Sequence, residues 1–151
     1  MNAQVWIAIL AGIAATVNDL AKREIANWIP VALLAAGLGW HIGVHGWTGA
    51  WIALAGAAVG FGVFLIFYLL GGMGGGDVKL MAGFGALLGT GRLLEAALWA
   101  AGIGGVLAVS VLGWRAVRRG LGRGAAASAG RESIPYAPAI TLGVWIALLA
   151  K

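Results

Sequence analysis

The chain has 151 residues, of which 62% are hydrophobic and 10% charged, with a formal net charge of +5. A soluble domain usually carries about 25% charged residues, so this composition excludes an ordinary water-soluble globule. There are no cysteines, which removes disulfides, thiolate metal sites and a cysteine nucleophile from consideration.

Six hydrophobic segments are predicted, at 3–17, 28–44, 50–70, 78–90, 93–114 and 135–150. A helix needs about 20 apolar residues to cross a bilayer. Only helices or closed barrels satisfy their backbone groups in lipid. Nothing in the chain alternates with period two, so the expected fold class is an all-α integral membrane protein of about six transmembrane helices. The first segment begins almost at Met1 with no basic residues before it, and reads as a retained helix rather than a cleaved signal. It ends at "TVNDLAKREIANW", which puts Asp19 directly after the helix.

The stretch Gly71–Leu80, "GGMGGGDVKL", follows the third segment and holds five glycines in six positions before Asp77 and Lys79. Glycine is unfavourable inside a helix and offers lipid no side chain, so this stretch is expected to hold the backbone out of regular helix. The fourth segment, "VKLMAGFGALLGT", is short for a crossing. It is expected to tilt, to begin within the glycines or to sit where the bilayer thins. Residues 115–134, "RAVRRGLGRGAAASAGRESI", look like a flexible basic loop.

With the N-terminus outside, the inner loops hold Lys22, Arg23, Lys79, Arg115, Arg118, Arg119, Arg123 and Arg131, and the outer side keeps Arg92 and Lys151. Basic residues favour the cytoplasmic side, so both termini are expected outside. The same rule explains the positive charge as an orientation signal, with contact to anionic lipid and no nucleic-acid partner. Trp28, Trp40, Trp47, Trp51 and Trp114 fall near segment ends, which suits the headgroup layer.

Of the five carboxylates, Glu95 falls on the outer side and Glu132 ends the basic loop. Asp19 and Asp77 abut the inner ends of helices at one membrane face. Ionisable groups at membrane depth are expensive, and they line cavities, pair or carry function. A lone aspartate beside a helix end is also commonly a solvated boundary residue. Two close carboxylates share a proton, so one activates water while the other polarises a carbonyl. That chemistry needs no metal and no cofactor. The glycines do not fit a phosphate loop or a dinucleotide fingerprint. His41 and His45 are four apart on one helix face, but read as interfacial residues rather than as metal ligands.

These residues resemble the prepilin peptidases, the type IV leader peptidases with a GxGD signature. Gly74, Gly76 and Asp77 stand at the signature positions, "DLAKREIANW" is similar to the family's first motif, and "IPYAPAITLG" to the opening of its last helix. Ala26 departs from the family's usual proline. The resemblance implies a single membrane-embedded aspartic peptidase domain over 1–151, in the bacterial cytoplasmic membrane. Its active site would lie at the cytoplasmic face and remove the short basic leader of prepilins or pseudopilins. By motif, Asp19 and Asp77 become the catalytic pair, with Gly74, Gly76, Lys79, Arg23 and Asn27 in substrate-binding or supporting positions. The chain lacks the cysteine-rich insertion of members that also methylate. It looks like the short members associated with tight-adherence (Flp) pili, which implies cleavage without methyl transfer. Two other classes remain open on the residues alone: a small transporter or ion pathway using intramembrane carboxylates, and a silent assembly scaffold that needs neither aspartate.

Overall fold

The computed structural model describes residues 3–71, 73–120 and 136–150. Its helices are α1 (Ala3–Lys22), α2 (Trp28–His45), α3 (Trp47–Leu69), α4 (Gly75–Gly120) and α5 (Ala137–Leu149). The first three and Gly75–Val111 of α4 are long and apolar enough to cross a membrane, and α5 is a shorter apolar helix. The protein is an all-α, multi-pass membrane protein.

Helix α1 shows the inside-out pattern expected in lipid. Its buried residues are Gln4, Ala8, Gly12, Ala15 and Asp19, at helical spacing. Its exposed large residues are Trp6, Leu10, Ile13, Val17 and Leu20, on the other face. Lipid tails are as apolar as leucine, so helix contact is driven by close packing of small residues and by polar bonds, not by hiding large side chains. The seam with α5 follows this rule. Trp145 Nε1 donates to the Ala8 carbonyl at 3.2 Å, and Thr141 Oγ1 donates to the Gly12 carbonyl at 3.3 Å. Gly56 of α3 and Gly85 of α4 face each other so closely that a Cβ on either would fall on the other's backbone.

Helix α4 is not straight. Gly89 has φ 70° and ψ 172°, a conformation essentially confined to glycine. Fifteen residues of straight helix beyond it would carry Gly104 about 22 Å farther from the start of α4. Instead, a Cβ at Gly104 would stand 3.2 Å from the ring of Tyr136. Tyr136 adjoins Ala137, which bonds Asp19, so Gly104 lies back at the end where α4 began. The chain therefore reverses at Gly89, and among the described residues α1–α5 provide six helical segments.

The short segment before the reversal crosses the whole bundle. From Asp77 to Gly89 every residue except Lys79 and Ala82 is buried. A helix enclosed by protein need not match the bilayer thickness, which accounts for its length. The segment after the reversal stays helical through residues 115–120, where a loop was expected. The rest of that loop, 121–134, lies outside the described residues.

The reversal is anchored by polar groups. Gln4 Nε2 donates to the Leu87 carbonyl at 2.6 Å, and His41 Nε2 donates to the same oxygen at 3.1 Å. The tautomer follows from the acceptor: a carbonyl requires the proton on Nε2. His41 is thus buried, not interfacial as expected, because the break at Gly89 leaves a carbonyl that must be satisfied inside the bundle. His45 is exposed and stacks on His41 with ring centroids 5.9 Å apart.

Two stability experiments follow. In detergent, Gly89→Ala loses about 1–3 kcal/mol, since it also brings a Cβ to 3.0 Å from Ile52 Cγ2, whereas Gly62→Ala, which meets nothing within 4 Å, does not. Gln4→Leu and His41→Leu each cost about 1 kcal/mol. Together they cost more than the sum, since only the pair leaves the Leu87 carbonyl without a donor. Thermal unfolding of the four proteins measures that coupling.

Candidate active site

The end of the bundle where α1 stops and α4 starts contains a cavity of about 340 Å³. Its lining includes Asp19, Arg23, Asn27, Gly74, Gly76, Asp77 and Lys79, every residue singled out in the sequence for a site. Glu24 and Ile25 line it too.

Asp19 does not follow α1, as expected, but lies in its last turn on the buried stripe. The helix continues because the polar residues after Val17 are good or tolerable helix formers. The Asp19 carboxylate, 7% exposed, accepts the Ala137 N–H at 3.1 Å. Ala137 is the first residue of α5, and its N–H is one that the helix itself cannot satisfy. Pro138 follows with no N–H of its own. Asp19 therefore caps a helix 118 residues away.

Asp77, 5% exposed, sits in the first turn of α4. Its Oδ2 accepts the Gly74 N–H at 3.1 Å, while its own N–H donates to the Gly74 carbonyl at 3.2 Å. The third helical residue reaching back to the residue before the helix is half of a capping box. The glycine stretch is thus not all irregular: Gly75 and Gly76 are already helical, and Gly71, with φ 76°, makes the turn after α3. Gly76 admits the loop after α1, since a Cβ there would stand 3.2 Å from Ile25 Cβ.

The two carboxylates line the same cavity. Each gives one oxygen to a backbone N–H and faces the positive end of a helix dipole. Around them the rim carries Arg23, Glu24 and Lys79. Lys79 Nζ donates to Asn27 Oδ1 at 3.1 Å, joining α4 to the start of α2. Arg23 has φ 53°, the left-handed region, and its N–H closes the end of α1 on the Asp19 carbonyl at 2.8 Å.

One end of the bundle thus holds two buried carboxylates, a polar cavity and the glycines beside Asp77. Residues 6–109 match the type IV leader peptidase family, a span that includes both aspartates. The chain belongs to the type IV leader peptidase family. It is therefore a membrane protease of the kind that acts on prepilins. No curated protein and no solved structure matches the chain.

Two features of this leader peptidase were missed in the sequence. One is the Ala137 N–H, for which the visible signal is the Pro138 that opens α5. The other is Glu24, exposed on the cavity rim.

The capping role separates from any chemical one by substitution. Asparagine retains an oxygen that accepts an N–H, whereas alanine does not. Asp19→Ala is expected to lose about 1 kcal/mol of stability, and Asp19→Asn markedly less, in parallel thermal melts in detergent.

Proposed function

We propose that this leader peptidase is an aspartic endopeptidase whose catalytic pair is Asp19 and Asp77, working on prepilin or pseudopilin leaders at the cytoplasmic face. The observation that carries this reading is the convergence of two buried carboxylates on one polar cavity, each held by a helix N-terminal N–H. One carboxylate, ionised, takes a proton from water, and that water adds to the scissile carbonyl. The other, protonated, donates to the carbonyl oxygen. Collapse of the adduct breaks the C–N bond, and the proton passes to the leaving amine. The whole chain acts as one membrane-embedded peptidase domain without cofactor or metal.

The orientation is part of the proposal. Lys22, Arg23 and Lys79 lie at the end that holds the cavity, while Arg92 follows the reversal at the opposite end. The positive-inside rule then turns the cavity toward the cytoplasm. A substrate that arrives as an apolar helix must be cut as an extended strand. The glycines beside Asp77 give its backbone room to approach. Lys79, Arg23 and Asn27 fix the rim where α1, α2 and α4 meet.

The test is cleavage of a prepilin from the same genome in lipid vesicles. Wild type cuts, while Asp19→Asn and Asp77→Asn, inserted and folded, each fall by at least about 100-fold. Cleavage by either variant at the wild-type rate overturns the pair. Gly76→Val, which drives a side chain into Ile25, reduces cleavage while the protein remains inserted.

A further inference from the structure

One face of α1 and one face of α5 run antiparallel away from the cavity, joined by polar bonds at successive turns. At the cavity, Asp19 accepts the Ala137 N–H at 3.1 Å. One turn along, Thr16 Oγ1 donates to Thr141 Oγ1 at 3.3 Å, and Thr141 Oγ1 donates to the Gly12 carbonyl at 3.3 Å. A further turn on, Trp145 Nε1 donates to the Ala8 carbonyl at 3.2 Å. We propose that Thr141 is a positioning residue for peptide cleavage: it fixes the register of α1 on α5, and so seats the Asp19 carboxylate in the cavity it shares with Asp77. The inference rests on the peptidase reading above and names a residue that serves that site without lining it.

Thr141 holds the seam at two points with one hydroxyl, which accepts and donates at once. It is 2% exposed, so water does not replace either bond. The same group ties two successive turns of α1, at Gly12 and Thr16, to one turn of α5. A threonine within a helix can bond a carbonyl one turn back in its own helix, whereas Thr141 directs its proton across to α1. The two helices also leave no slack at this level. A Cβ at Gly12 would collide with Thr141 Cγ2 and stand 3.0 Å from Trp145 Nε1.

The register at Thr141 matters because the Asp19 bond is so near. Thr141 stands about 6 Å along α5 from Ala137, and a helix is stiff over one turn, so a slip at Thr141 passes undiminished to Asp19. In turn, α5 is fixed on the returning segment of α4, where a Cβ at Gly143 would stand 2.6 Å from the Ala100 nitrogen. The side-chain bond that α1 makes directly to α4, from Gln4 to the Leu87 carbonyl, is at the opposite end of the bundle. Near the cavity, the packing that relates α1 to the helix carrying Asp77 therefore passes through α5, and Thr141 is its polar link. A displacement of about 1 Å in a reacting group can cost about 100-fold in rate.

The experiment uses the full chain in lipid vesicles, with a prepilin from the same genome. Thr141→Val keeps the side chain's shape and removes its hydroxyl. It is expected to lower kcat by about 10-fold or more with KM unchanged, while Thr141→Ser, which keeps the hydroxyl, restores most of the rate. Difference infrared spectroscopy gives a readout that does not depend on cleavage. The Asp19 carboxyl band, identified by its loss in Asp19→Asn, is expected to shift in Thr141→Val and to return in Thr141→Ser. Thr16→Val, which leaves the bond from Thr141 to Gly12 in place, shows the same effects more weakly and keeps the test alive if Thr141→Val does not insert. A wild-type kcat in Thr141→Val, an equal loss in Thr141→Ser, or an unmoved Asp19 band overturns the positioning role. Less folded protein with a normal kcat per folded molecule also overturns it, since that is the mark of a purely structural threonine. Asp19→Asn, run alongside, separates the two failures. If it is inactive while Thr141→Val cuts normally, only the positioning role falls; if it cuts normally, the peptidase reading falls and the infrared band decides whether Thr141 seats Asp19.

Discussion

A carboxylate inside a membrane protein needs donors, and a helix N-terminus has donors it cannot use itself. The site depends on that match. Asp19 takes the first N–H of α5, and Asp77 takes the N–H just ahead of α4. Each aspartate therefore organises a helix start, and each helix start makes a buried aspartate tolerable. The geometry of the remaining bundle follows from bringing these two starts to one end.

That requirement also explains the reversal at Gly89. The start of α4 and the start of α5 must share a face, yet an odd number of crossings must separate them from the start of α1. A short, enclosed segment out to Gly89 and a longer one back meet the condition. The cost is a polar break at the far end of the bundle, where the Leu87 carbonyl is left to Gln4 and His41. Two polar residues from α1 and α2 thus serve the site from the opposite end of the protein.

Much of this was legible in the residues. Scarcity of charge makes each aspartate conspicuous, and the glycine run beside Asp77 has no use in a lipid-facing helix. Other features were hidden for physical reasons. Asp19 was read as outside α1 because polar residues usually mark a helix end, yet Gln4, Ala8, Gly12, Ala15 and Asp19 form a stripe whose smallness and polarity signal burial in a membrane bundle. His41 was read as interfacial since its need for a carbonyl arises only from the break at Gly89, and "LLGTGRLL" looks like many other glycine-containing stretches of this chain. The Ala137 N–H was invisible because a backbone group has no letter. Residue types reveal which groups need partners, while the partners themselves depend on how the chain folds back.

The bond from Ala137 to Asp19 joins α5 to α1 across 118 residues. A membrane chain is made and inserted from its N-terminus, so Asp19 and Asp77 both enter the bilayer before the group that seats Asp19 exists. The nascent peptidase therefore carries its two acids in an unfinished setting until α5 docks. Docking of α5 and assembly of the site are the same event, and a protein truncated before α5 would retain both aspartates without the N–H that seats Asp19.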